Sequence, residues 1–424
     1  MSRLVALLLI PVLSLAQEDA KARARSIRTL AERGSEAMPQ LAQLLSGPDL
    51  NARLEAVKAV VSIGTQHSLN PLMKALQDSD QEIQIRAIDG LVNFYMPEYV
   101  AGSMSANIKR SGANVTGRLS DTNNQVIPPY IEVRAEVIQG ISKLLASSPS
   151  MDVRANAARA LGVLRGKAAI PVLVQALRSK DSRLMYESLI ALQKIGDPAT
   201  GPDVIFLLRD FDEKLQLTAI ETAGQLRAKE ALPALQDLLQ NPRTDKTRRA
   251  ALASIAMIPE PRNHPLFVTY LADKDEQMRR AAAEGLARLR SPTDKEVIAS
   301  AFREERKTGA KLSLAFAAIA LGEVGTDDSG PIYCLVNSLT SRAWRGVAQP
   351  FLIELARERP VRESLYAFLP SSSKEVKIAL AQALAVSGDR QTVEKLEPLT
   401  TDADSDVARE ALRALRSLKA RLPQ

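Results

Sequence analysis

The order in this chain lies in short blocks whose apolar positions recur every three or four residues. Residues 151–181 show it best. Val153, Ala157, Ala160, Leu161 and Leu164 fall on one face at helical spacing. Gly166 is expected to break that helix. Pro171 follows in the first turn of a second helix, where a missing N–H costs little and the fixed φ suits a start. Val172, Leu173, Ala176 and Leu177 supply the second apolar face. Two helices of this size cannot enclose a core, so each pair needs a neighbour on either side.

The sequence supplies those neighbours by repetition. Positions equivalent to Arg154 recur at Met185, Gln216, Arg248, Arg279, Leu314, Arg345, Lys377 and Ala408, with spacings of 31, 31, 32, 31, 35, 31, 32 and 31. Arg53 and Arg86 extend the series upstream. A second marker keeps the same period. Pro171, Pro202, Pro233, Pro265 and Pro331 each stand 17 residues after their anchor, and Pro39 and Pro71 open earlier second helices. Two markers sharing one period predict an all-α fold, an α-α superhelix or solenoid of about eleven to twelve helix pairs.

The residues that carry the pattern best are Asp152, Val153, Arg154, Ala157, Ala160, Leu161, Gly162, Pro171, Leu173, Ala176 and Leu177. Their arrangement resembles the HEAT-like repeats first recognised in bilin lyases, and the resemblance covers nearly the whole chain after residue 20. It implies a superhelix of stacked helix pairs that binds macromolecules along an extended surface. It is specific for architecture and says little about activity.

The pattern fails once. Counting forward from Arg86 and back from Arg154 leaves 37 surplus residues inside a single repeat. The expected non-repeat insertion spans about 93–130. It holds Phe94, Tyr95, Tyr99 and Tyr130, four of the sixteen aromatics, together with Lys109, Arg110 and Arg118. Residues 108–127 have turn-and-strand composition, compatible with a short hairpin. Two readings stay open: a functional clamp, or a repeat that kept its length and lost its pattern. With Trp344, which stands between Arg342 and Arg345, these seven residues are the candidate partner-binding set. Packing of Trp344 between repeats is the competing reading.

Residues 1–16 read as a cleavable leader: one positive charge at Arg3, an apolar run from Leu4 to Leu13, and small residues Ser14 and Ala16 before Gln17. The run is too short to span a bilayer. The expected organisation is therefore a signal peptide at 1–16 and one solenoid over 17–424, closed by a capping helix at about 402–422. Export follows, to a periplasm or beyond, with no integral membrane segment once the leader is removed.

Charge and composition narrow the chemistry. A net charge of +7 over 424 residues is modest, so no nucleic-acid partner is expected. Asp181, Asp210 and Asp275 recur in turns, and Arg154, Arg248 and Arg279 recur in the helices that follow. This periodicity marks them as a structural ladder rather than a convergent catalytic set. His67 and His264 are the only histidines and lie several repeats apart. Neither a histidine metal site nor a Ser-His-Asp arrangement is expected. Cys334 is the only cysteine, and a packed thiol is its expected state. No P-loop, dinucleotide fingerprint, H-E-x-x-H or C-x-x-C motif is present.

No catalytic residue, cofactor or metal is assigned on these grounds. The expected function is a non-enzymatic scaffold that binds a protein partner along the solenoid surface. The alternative is an enzyme or enzyme-assisting subunit of bilin-lyase type, with DNA binding as a third reading.

Overall fold

The computed structural model describes residues 21–97, 99, 125–325 and 327–422. The expected leader and residues 108–124 of the expected hairpin at 108–127 lie outside them. The described residues contain no strand, and the fold is an all-α, HEAT-like solenoid. Among the described residues no helix is long and apolar enough to cross a membrane. The chain divides into two units, 1–127 with 133–200, and 128–132 with 201–424.

In the first unit the longer helices Leu50–Ile63, Gln81–Tyr95, Met151–Val163 and Ser182–Ile195 lie side by side in that order. The helices Met38–Leu44, Leu69–Ala75, Ala135–Ser147 and Ile170–Ala176 pack beneath them. In the second unit the longer row runs through Glu213–Gln225, Asp245–Met257, Glu276–Leu289, Thr308–Ala320, Arg345–Leu355, Lys374–Ser387 and Ser405–Arg421.

Local chemistry explains the starts. Asp49, Asp80, Asp181, Asp212, Asp275 and Asp404 stand in extended backbone ahead of a long helix. Each accepts N–H bonds from the first turn. Such a cap contributes about 1 kcal/mol. Pro39, Pro171, Pro233, Pro265 and Pro331 occupy the first or second position of their short helices. Pro202 departs from this pattern: it lies within a 3-10 segment, Pro198–Arg209, and not at the head of an α-helix.

The stops also differ from expectation. Gly64 and Gly196 end their helices in the left-handed region, at φ 58° and 68°. After Met151–Val163 that role falls to Arg165, at φ 48°, while Gly166 has an ordinary φ of −71°. Arg227 and Arg290 repeat the substitution, both at φ 53°.

Several of the periodic charges act as fastenings. Arg53 meets Asp78 at 2.8 Å and Arg279 meets Glu305 at 2.8 Å. Lys377 meets Asp402 at 2.8 Å, and Arg249 reaches the capping Asp275 of the next pair at 2.6 Å. Arg154 instead donates to the Leu145 carbonyl at 2.8 Å. His264 Nε2 lies 2.9 Å from both oxygens of the buried Asp294. The Thr308–Ala320 helix is buried on nearly every side, and its Phe316 stacks on Phe351 with centroids 4.5 Å apart. Cys334 is half-buried rather than fully packed, and burial pushes its thiol pKa up.

Candidate functional site

The helix Gln81–Tyr95 takes in the first three residues of the expected insertion, so Phe94 and Tyr95 belong to its last turn. Their rings meet edge to face at 4.9 Å. Tyr95 is 7% exposed, and its hydroxyl accepts the Arg134 N–H at 3.2 Å. Ile127, on the far side, is buried and donates its N–H to the Val163 carbonyl at 3.0 Å. Tyr99 is 4% exposed. Tyr95 and Tyr99 therefore face inward and anchor the segment, which leaves little of either ring on the surface. Tyr130 is half-buried in a turn at 128–132, and Lys109, Arg110 and Arg118 lie outside the described residues. Trp344 is partly exposed just ahead of the Arg345–Leu355 helix.

Tyr99 leads to a site that the sequence reading missed. Its hydroxyl faces the Arg159 guanidinium, which is paired with Glu187 through two bonds, Nε–Oε2 at 3.1 Å and a terminal nitrogen to Oε1 at 2.5 Å. Arg159 also donates to the Asn156 side-chain oxygen at 3.1 Å. The side chains of Arg159 and Glu187 keep only 15% and 10% of their exposure. Asp89 approaches from the Gln81–Tyr95 helix and Lys194 from the last turn of Ser182–Ile195. Three adjacent long helices thus bring four titratable groups together, and Tyr99 adds a fifth from just beyond the Gln81–Tyr95 helix.

Their electrostatics are coupled. Burial, with the Asp89 and Glu187 charges added, holds the Tyr99 hydroxyl far above the usual phenol range. Burial alone would lower the Arg159 pKa, but Glu187 outweighs it and keeps the guanidinium charged. Burial drops the Lys194 pKa to about 8, with Arg159 adding to the drop and Glu187 opposing it. A lysine so tuned holds roughly a tenth of its molecules as free amine at pH 7. Such a pKa would let the amine exchange protons near neutral pH. Lys194 is the only lysine so displaced among the described residues. None of these five groups belongs to the periodic Asp and Arg ladder expected from the sequence.

One sequence signal could have found it. Glu187 stands within the run 184–192, whose other residues are almost all buried and apolar. A carboxylate there needs a partner, and Arg159 occupies the neighbouring repeat. Among the described residues no group of acidic, histidine or cysteine side chains is arranged to hold a metal.

Comparison with known proteins places the sequence in a family. The sequence matches HEAT repeats over residues 7–97, 138–205, 201–263 and 243–318. Phycocyanobilin lyase subunit alpha of Nostoc sp. (strain PCC 7120 / SAG 25.82 / UTEX 2576) is 30% identical over 164 residues, 36% of this chain and 59% of that protein. The chain thus spans less than two thirds of that relative's length. Among solved structures, the complex of CpcE and CpcF of phycocyanin lyase from Nostoc sp. PCC7120 matches with 19% identity and a TM-score of 0.37. That match covers 62% of this chain and 90% of the other. An engineered protein matches at 22% identity and TM-score 0.36, over 94% of this chain and 99% of that one. The expectation of a non-enzyme is overturned by the lyase-subunit relative. The chain belongs to the HEAT-repeat family, with repeats of the bilin-lyase type.

Proposed function

We propose that the chain is a subunit of an enzyme of bilin-lyase type, working with a protein partner on an open-chain tetrapyrrole or a similar carboxylate-bearing ligand. The identity to a lyase subunit carries this reading. The cluster around Lys194 supports it, because it adds a group able to exchange protons near neutral pH. Lys194 is the side chain that meets the ligand. Arg159 and Glu187 lie behind it and act as positioning residues, while Tyr99 closes the site from the insertion. The partner docks on the solenoid surface, and export to an extracytoplasmic compartment remains part of the proposal.

Titrating the full chain with phycocyanobilin, alone and with apo-phycocyanin, tests the reading. A saturable red shift and sharpening of the pigment band is expected. It should weaken at least tenfold in Lys194→Met. An unchanged spectrum in both settings overturns the proposal. Replacing residues 100–124 by a short Gly-Ser bridge keeps Tyr99 and Ile127, and it should reduce acceptor binding if the insertion is a clamp.

A further inference from the structure

A second feature, wholly within the second unit, is unrelated to the lysine cluster. A hollow of about 480 Å³ opens across the helices Glu213–Gln225, Asp245–Met257 and Glu276–Leu289. Its origin is visible in the repeat. Arg159, Ile190, Glu221, Ala253 and Glu284 hold the same position in successive repeats. In the middle helix of the three, that position and its neighbour one turn earlier are Ala253 and Ala250. Two small residues between longer ones leave space. Met257 adds an apolar, adaptable wall. The floor is tight: a Cβ on Gly224 would fall 2.9 Å from the Ser254 Cα, and Ser254 Oγ donates to the Ile220 carbonyl at 2.8 Å.

The charges at the edge do not cancel. Lys246 is paired with Glu213 at 3.1 Å and Arg249 with Asp275 at 2.6 Å. Glu284 is taken by Arg288 at 3.4 Å and by the Ser313 hydroxyl at 3.1 Å. Arg280 also lines the hollow and makes no ion pair with any described residue, including Glu276 four residues before it. Its Nε is buried and has no hydrogen-bond partner. The guanidinium as a whole is only half-buried at the wall of the hollow, so its uncompensated charge is left for an anion there. Glu221 stands at the mouth, open to solvent on one side. Desolvation on the other raises its carboxyl pKa, and the hydrogen bond from Gln225 opposes that rise.

We infer that this hollow binds an amphiphilic anion, its apolar body over Ala250, Ala253 and Met257 and its carboxylate or phosphate head on Arg280. The size lies within the range of sites for small organic ligands. The inference stands apart from the lyase reading, since it shares no residue with the lysine cluster.

The chain carries its own reporter. Trp344 is its only tryptophan. Trp344 Cζ3 and Arg280 Cδ lie 3.3 and 3.2 Å from where a Gly309 Cβ would sit, so the two side chains converge there. The test is a titration of the full chain with decanoate, decyl phosphate and decanol below their micelle concentrations, followed by Trp344 emission and by calorimetry. Saturable binding of at least one anion is expected, with decanol at least tenfold weaker. Arg280→Gln should weaken the anion at least tenfold, and Arg280→Lys should recover part of the loss. Ala253→Phe fills the hollow from a half-exposed position and should abolish binding with the melting temperature maintained. Comparing the two anions assigns the head group. Absence of saturable heat and emission change with both anions overturns the inference. So does decanol binding as tightly as decanoate, or undiminished binding in both Arg280→Gln and Ala253→Phe.

Discussion

Arg159 and Glu187 join two neighbouring long helices through a bidentate ion pair, at 3.1 and 2.5 Å, with both side chains largely withdrawn from water. Removing one partner strands the other charge in a poorly solvated place, at a cost of about 3–5 kcal/mol. Arg159→Met or Glu187→Gln should each lower the urea midpoint accordingly. The double replacement by Met should cost less than the sum of the single changes, and a double-mutant cycle measures the difference.

Lys194 gives a pH signature. Its pKa is about 8 in the fold and about 10.5 in the unfolded chain. Between those values the unfolded chain binds more protons, so this group makes stability rise with pH across that window. Lys194→Met removes the term. The mutant should be the more stable at pH 7, and its advantage in thermal melts should shrink steadily towards pH 10.

The left-handed arginines predict an opposite pair of effects. Arg227 is exposed and sits at φ 53°, a conformation costing roughly 1 kcal/mol or more for a residue with a Cβ. Arg227→Gly should raise stability by about 1 kcal/mol. Gly196→Ala, at φ 68°, should lower it by a similar amount. Denaturation midpoints of the two variants check both signs.

Leu161 is wholly buried on the inner face of the Met151–Val163 helix. Leu161→Ala should destabilise by about 2–5 kcal/mol, the lost transfer energy plus a cavity. A urea midpoint close to that of the parent chain would contradict the packing.

Export predicts a particular N-terminus. Protein isolated from its native host should begin at Gln17, and Edman sequencing or intact mass reads it directly. A chain retaining Met1 would remove the leader from the proposal.

The sequence by itself determined the architecture. Apolar spacing, the prolines at helix starts and a period near 31 are local or periodic signals, and each follows from helix geometry without knowledge of the fold. It also exposed the irregularity after residue 93. Only the tertiary structure decided which residues act together. It turned Tyr95 and Tyr99 inward as anchors, gave the helix stop to Arg165 in place of Gly166, and brought Asp89, Arg159, Glu187 and Lys194 together from three helices around Tyr99. The last of these is the largest step. Residues one repeat or more apart in sequence become neighbours only when long helices stack. Their shared burial then couples charges that look, along the chain, like isolated members of a periodic series.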